Sequence, residues 1–275
     1  MITLDIFVVL YKRQIDASET LASLRRLDFV TLGFDVEVHI WDNSPAPLWP
    51  GQGTLPHNWS YISSPSNDGL SKAYNTLVRG TSRSYVMIFD QDSCVNETLF
   101  LCLRAGIEQV NADVFVPMIK HDGRVISPGR LLWIKGAPLR AVRPGALLPR
   151  NFTAMMSGLC MSRSALIRHG AQPFNERLRF YGIDTRFCRD LSQHGGAAYL
   201  YNAVLEHDSA LRSTVDRDAA LERQIWLWKS WLQVFDRNLA ESIAIRFYVL
   251  WKVLQASCRP GSQRKFGELI SKVLR

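Results

Sequence analysis

The chain reads as an α/β protein: a mostly parallel mixed sheet flanked by helices, followed by a helical C-terminal extension. Three observations predict this class. Short apolar runs at residues 3–10, 36–41 and 85–89 are separated by segments of helical spacing and by loops rich in Pro, Gly and Asn, the alternation expected of βαβ units. Each run passes directly into polar residues, Tyr11-Lys12-Arg13, Asp42-Asn43-Ser44 and Asp90-Gln91-Asp92-Ser93, at the strand ends where open α/β sheets bind ligands. From residue 215 the pattern changes to long stretches with apolar residues three and four apart.

Taken in order, residues 3–10 form a first strand, buried on both faces because its apolar residues run with little alternation. Residues 18–27 place Leu21, Leu24 and Leu27 on one side of a helix. Residues 36–41 form the second strand, and a strand–helix–strand crossover of this kind is right-handed. Pro, Gly and Asn mark a loop over 45–58. Asn67-Asp68-Gly69-Leu70-Ser71-Lys72-Ala73-Tyr74-Asn75 then opens a helix that continues to about Arg79.

A third strand, Tyr85-Val86-Met87-Ile88-Phe89, runs straight into Asp90-Gln91-Asp92. Two carboxylates two positions apart at a strand end cannot both be buried cheaply. A divalent cation is their simplest partner, although a strand leaving the core through a solvated Asp turn has the same sequence. Residues 112–117 read as a further strand. Residues 121–151 are basic, rich in Pro and Gly and weakly periodic. Long irregular stretches in a compact domain are usually functional, here closing over a donor or binding an anionic acceptor. Residues 197–205 read as a short strand.

Bulk properties narrow the function. With 275 residues and 47% apolar content, the chain has material for one large domain, or one domain with an appendage, around an ordinary core. The net charge of +8 is unevenly spread. Residues 1–119 carry 8 basic and 13 acidic side chains, 120–150 carry 7 and 1, 151–210 carry 6 and 5, and 211–275 carry 12 and 6. That distribution does not suit a nucleic-acid-binding surface; it suits metal chemistry beside anionic partners. Cys94, Cys102, Cys160, Cys188 and Cys258 form no closely spaced pairs, which argues against a disulfide framework and for a reducing, cytoplasmic compartment. Asp5 interrupts the first apolar run and no basic segment precedes it, so no secretory signal is expected. No window of about 18 uncharged apolar residues occurs, so no spanning helix is expected.

Three motifs in this order, Asp42-Asn43-Ser44, then Asn67-X-Gly69-Leu70-Ser71-X-Ala73-X-Asn75, then Phe89-Asp90-Gln91-Asp92-Ser93, resemble family 2 glycosyltransferases of the GT-A fold over residues 2–210. Asp90-Gln91-Asp92-Ser93 is similar to the rhamnosyltransferase branch. The resemblance implies an inverting, metal-dependent transferase that moves rhamnose from dTDP-rhamnose to a polysaccharide or lipid-linked glycan of the cell envelope. It implies Asp92 as ligand of Mg or Mn, with Asp90 near the ribose or reaching the ion through water. Asp42 would accept from the base or ribose. Tyr11, Asn67, Gly69 and Gln91 would complete the donor site, where free N–H groups of a helix N-terminus favour the diphosphate.

By the same resemblance, residues 156–163 form a strand beneath the acceptor. Phe180-Tyr181-Gly182-Ile183-Asp184-Thr185-Arg186 matches the motif whose acid starts a helix beside the acceptor hydroxyl, which makes Asp184 the catalytic base. The branch usually has a second acid two positions on, where this chain has Arg186. His207, followed by Asp208, matches a histidine near the diphosphate, whose neutral imidazole would complete the metal shell.

The expected organisation is a catalytic domain at 1–210, with its nucleotide-sugar half at 1–119 and acceptor half at 120–210, and a helical extension at 211–275. In that extension, Leu221, Ile225, Trp228, Leu232 and Phe235 recur at helical spacing, as do Leu239, Ile243, Phe247, Leu250 and Leu254. One face packs on the catalytic domain. The tryptophans and basic residues are expected to give peripheral contact with the inner face of the cell membrane. Other classes fit less well. A nucleotidyltransferase needs a Gly-rich, Arg-containing loop after its first strand, and Tyr11-Lys12-Arg13-Gln14 has no glycine. A catalytically inactive glycan-binding relative would have lost acids that stand here at 42, 90, 92 and 184. A phosphatase would carry its Asp-X-Asp on the first strand.

Overall fold

The first apolar run becomes a strand covered on both faces. In the computed structural model, which describes residues 1–49, 54–139, 143–206, 217–258 and 266–274, β1 (Ile2–Leu10) sends Leu4, Ile6, Val8 and Leu10 into one core and Phe7 and Val9 into the other. A short 3₁₀ turn (Ile15–Ala17) leads to α1 (Glu19–Leu24), whose N-cap Ser18 accepts from the Leu21 N–H. Then come β2 (Phe34–Asp42), β3 (Trp59–Ser63), α2 (Leu70–Gly80) and β4 (Tyr85–Phe89). α3 (Glu97–Gln109) is capped by the Asn96 side chain, and β5 (Val114–His121) follows.

Residues 121–151, read from the sequence as irregular, contain ordered short strands instead. β6 (Arg124–Ser127), β7 (Gly129–Leu132), β8 (Lys135–Pro138), β9 (Ala146–Leu147) and β10 (Phe152–Thr153) all fall in or against it. Strands of two to four residues are too short to show a period. β11 (Leu159–Ser162), α4 (Arg163–Arg168), α5 (Ile183–Gln193) and β12 (Ala198–Glu206) complete the domain. α6 (Arg217–Val234), α7 (Leu239–Ser257) and α8 (Phe266–Leu274) form the C-terminal helices.

The main sheet has nine strands in the order β3-β2-β1-β4-β11-β5-β12-β9, with β6 on β5, and β10-β7-β8 form a second, three-stranded sheet. β3, β2, β1 and β4 are mutually parallel; β11 runs antiparallel to both β4 and β5, and β12 is parallel to β5. The carboxyl ends of β1, β2 and β4 therefore open on one side of the sheet. The C-terminal helices share one core with the main sheet: Ile225, Trp228, Ile245, Val249, Val253 and Leu269 are buried in the cluster that holds Phe7, Val86 and Phe187.

α7 has two apolar faces. The stripe Leu239, Ile243, Phe247, Leu250 and Leu254, which has helical spacing in the sequence, points outward, and Ile245, Val249, Val253 and Ala256 face the core. Both sets have helical spacing, so spacing alone could not choose between them.

Candidate active site

The acidic motif sits on a loop fastened from three directions. Residues 90–93 follow β4, and the β1–β4 register sets Val8 beside Phe89. The Gln91 side-chain carbonyl accepts from the Tyr11 N–H (2.9 Å), the Ser18 hydroxyl donates to the Gln91 carbonyl (2.7 Å), and the Thr20 hydroxyl donates to the Asp90 carbonyl (2.5 Å). The Ser93 N–H donates to Thr20 Oγ1 (2.8 Å), Ser93 and Ser157 share a 2.6 Å hydroxyl contact, and the Asp90 N–H reaches Ser157 Oγ (3.3 Å). Gln91 and Tyr11 thus meet through a structural bond, and the amide is used to hold the loop. Asp90 and Asp92 are half-buried at its rim.

Asp42 closes β2 and lies opposite Leu10. It is fully buried. Its Oδ1 accepts from the Ser44 N–H (2.9 Å) and its Oδ2 from the Leu48 N–H (3.0 Å) and the Tyr61 hydroxyl (2.5 Å). Burial alone would raise its pKa, but these hydrogen bonds outweigh burial and hold the carboxyl below its ordinary value. Asp42 is therefore committed to shaping the loop after β2.

Asn67 and Gly69 tie the two halves of the domain together. Asn67 and Gly69 have φ of 45° and 97°, and a Cβ on Gly69 would lie 2.9 Å from the Arg179 carbonyl oxygen, so only glycine fits there. The Leu70 N–H donates to that carbonyl (2.8 Å), Arg179 Nη2 donates to the Asn67 carbonyl (2.6 Å), and the Ser71 hydroxyl donates to the Leu178 carbonyl (2.5 Å). The first N–H of α2, expected to face an anion, is consequently engaged by the chain. One turn on, Tyr74 is buried, edge-on to Phe174 with centroids 5.4 Å apart. Burial, and then the negative charges of Asp90 and Asp184, push its phenol well above the ordinary value.

Asp184 lies in the first turn of α5 after Gly182, whose φ of 80° starts the helix. Its Oδ1 accepts from the Thr185 N–H (2.6 Å), and burial raises its pKa. It lines a cavity of about 350 Å³ together with Ser127 and Gly129, Gly136–Pro138 of β8, and Thr153. The basic segment thus lines the same cavity as Asp184.

Arg186 does not enter that cavity's lining. Its Nε donates to Asp190 (3.0 and 3.1 Å) and its Nη1 to Asp236 (2.7 Å) and the Gln233 carbonyl (2.8 Å). Nearby, Arg189 meets Glu241 (2.7 Å) and Arg237 meets Asp190 (2.5 Å). Arg186 is a clamp between α5 and the C-terminal helices, an explanation that motif comparison could not supply. His207 and Asp208 lie outside the described residues.

Among the described residues, Asp5, Glu37 and His39 bring three ligating side chains within reach of one ion. Sequence reading did not single them out, and no spacing signal links positions on two strands. They sit toward the amino ends of β1 and β2, where Asp5 pairs with Glu37 in register. Arg83 already supplies the cation there, contacting Asp5 (3.3 Å), Asp35 (2.8 Å) and Glu37 (2.6 Å). This is a folding network on the face opposite the carboxyl ends.

Comparisons with known proteins bear on the fold and the family. No curated protein sequence matches the chain. Among solved structures, one of GalNAc-T7 with UDP, GalNAc and Mn²⁺ is similar at 13% identity and a TM-score of 0.59, covering 100% of this chain and 57% of that one. S. aureus TarS 1–349 is similar at 14% identity and a TM-score of 0.51, covering 99% and 88%. The same fragment in complex with UDP-GlcNAc gives 16% identity and 0.52, covering 91% and 71%. The chain spans little more than half of the GalNAc-T7 chain, and at these identities the likeness is one of fold, the mixed α/β architecture with a nine-stranded, mostly parallel sheet. The family model described as "Glycosyl transferase family 2" matches residues 5–170, the stretch that holds β1, the acidic loop and β11, and the chain belongs to that family.

Proposed function

We propose that the chain is an inverting glycosyltransferase that moves a sugar from a nucleoside-diphosphate donor to a polysaccharide or lipid-linked glycan. The observation that carries this reading is the acidic loop held at the carboxyl end of β4, in a domain where Asp184 lines a cavity of about 350 Å³. The donor would lie across the carboxyl ends of β1, β2 and β4, and the acceptor would enter beneath β7 and β8. The catalytic unit would span 1–210, with donor half 1–119 and acceptor half 120–210, and 211–275 would serve attachment.

Asp90 and Asp92 offer hard oxygen donors on a loop held rigid by Thr20, Ser18 and Ser157, a set that fits Mg²⁺ or Mn²⁺. When bound, such an ion neutralises charge on the departing diphosphate. Asp184 takes the proton of the acceptor hydroxyl; the freed oxygen attacks C1 in line, and the C1–O bond to the diphosphate breaks. Burial suits this role, since it lifts the carboxylate toward the pH at which a general base works.

Asp90-Gln91-Asp92-Ser93 favours rhamnose from dTDP-rhamnose as donor. The UDP and UDP-GlcNAc in the similar structures support a second reading with a uridine-diphosphate sugar. The test is nucleotide release from a panel of nucleotide sugars with added Mn²⁺ or Mg²⁺. Release from one donor, abolished by chelator, is expected; no release from any donor with either ion would overturn the assignment.

A further inference from the structure

α7 is apolar on two sides. Its inner side, Ile245, Val249, Val253 and Ala256, is buried. Its outer side carries Leu239, Ile243, Phe247, Leu250, Trp251 and Leu254, between 41% and 76% exposed. A helix apolar all round belongs inside a core or against something apolar, and a stripe this large does not arise from scattered surface residues. From Leu239 to Leu254 it runs about 22 Å at 1.5 Å per residue. Among the described residues, no helix is long and apolar enough to cross a membrane, so the stripe would lie along a surface.

A second exposed apolar pair adjoins it. Leu132 and Trp133, at the turn between β7 and β8, are 51% and 60% exposed. Two residues on, the Lys135 ammonium sits over the Tyr248 ring of α7, 5.4 Å from its centroid.

Charge identifies what covers the two patches. Arg246 is exposed beside the stripe, and Lys252 borders it, with its ammonium 4.9 Å from the Trp251 ring. Residues 120–150 carry 7 basic and 1 acidic side chains, and 211–275 carry 12 and 6. A second copy of the chain would set two positive surfaces face to face. An anionic bilayer matches both features, with acyl chains for the stripe and headgroup phosphates for its basic rim.

We propose that the outer face of α7 and the Leu132–Trp133 turn dock flat on an anionic lipid bilayer. The docking stands on this surface alone; its use deepens the reading of a lipid-linked acceptor. β8 lends Gly136–Pro138 to the wall of the Asp184 cavity, and Arg189 of α5 holds Glu241 of α7, so docking would set that cavity at headgroup level.

The test is co-flotation of the full chain with phosphatidylcholine vesicles, with and without phosphatidylglycerol, across a salt series. Light scattering of the lipid-free protein runs alongside. The wild type should float only with anionic vesicles, and less as salt rises. Phe247→Ser with Leu250→Ser and Trp251→Ser should abolish flotation, while donor binding and the thermal midpoint stay unchanged. Arg246→Glu with Lys252→Glu should weaken it by about fivefold or more for each position. Failure of the wild type to float, or equal flotation of the serine variant, would overturn the proposal. Lipid-free dimers that the serine variant dissociates would reassign the face to self-association. Neither result touches the transferase reading, which nucleotide release measures separately.

Discussion

Arg186→Met separates a clamp from an acceptor contact. The substitution keeps much of the aliphatic stem but removes two bonds to Asp190, one to Asp236 and one to the Gln233 carbonyl. Stranding the partners of a fully buried ion pair costs about 3–5 kcal/mol. Here Asp190 keeps Arg237, Asp236 keeps Arg177, and both carboxylates are about a quarter exposed, which brings the expected loss to about 1–3 kcal/mol. For a chain of this size that lowers Tm by roughly 2–12 °C. Calorimetry reads the shift, and nucleotide release well below the melting range should stay within about threefold of wild type. A double-mutant cycle with Asp236→Asn should return a coupling of about 0.5–3 kcal/mol. An unchanged Tm accompanied by lost turnover would refute the clamp and make Arg186 part of the acceptor site.

Gly69→Ala should cost about 1–3 kcal/mol in a urea melt, because the new methyl meets the Arg179 carbonyl at a φ that alanine resists. Asp42→Asn should destabilise by about 1–3 kcal/mol at neutral pH by weakening bonds from Ser44, Leu48 and Tyr61. Because the native carboxyl is held below its ordinary value, its contribution is present above the unfolded pKa and fades as pH falls through the folded one. The gap between wild-type and Asp42→Asn midpoints should therefore narrow in acid. Asp92→Asn should leave Tm near wild type while metal-dependent donor binding, followed by calorimetry, is lost.

The sheet was legible because its evidence is local. Apolar runs at 3–10, interrupted by Asp5, and at 85–89 read as strands covered on both faces, and both are. Asp90 and Asp92 were placed by the strand end that precedes them. Asp42 stood at the expected strand end too, but whether its carboxylate faces a ligand or the chain depends on Leu48 and Tyr61, which no motif includes. Gln91 is the same case, an amide turned to the Tyr11 backbone from 80 positions away. α7 marks another limit: two apolar faces of equal periodicity are equivalent in sequence, and only the neighbouring helices choose between them. The short strands of 124–153 were hidden for another reason, since two to four residues show no period and their partners, β5 for β6, β12 for β9 and one another for β7, β8 and β10, are set by the fold.

The most direct test of the account is Asp184→Asn, read through kcat and donor affinity together. Burial raises the native pKa of Asp184, so its ionised form costs stability once pH rises above the ordinary carboxylate range, and the variant should melt no lower than wild type at neutral pH. In the wild type the acid limb of kcat/KM should lie above an ordinary carboxylate pKa, and in the variant it should vanish. Turnover with the preferred donor should fall by roughly 10²–10⁴, while donor Kd with metal present stays within a factor of about two. Normal turnover, or collapse of donor binding at unchanged turnover per bound donor, would contradict the assignment of Asp184 as the base.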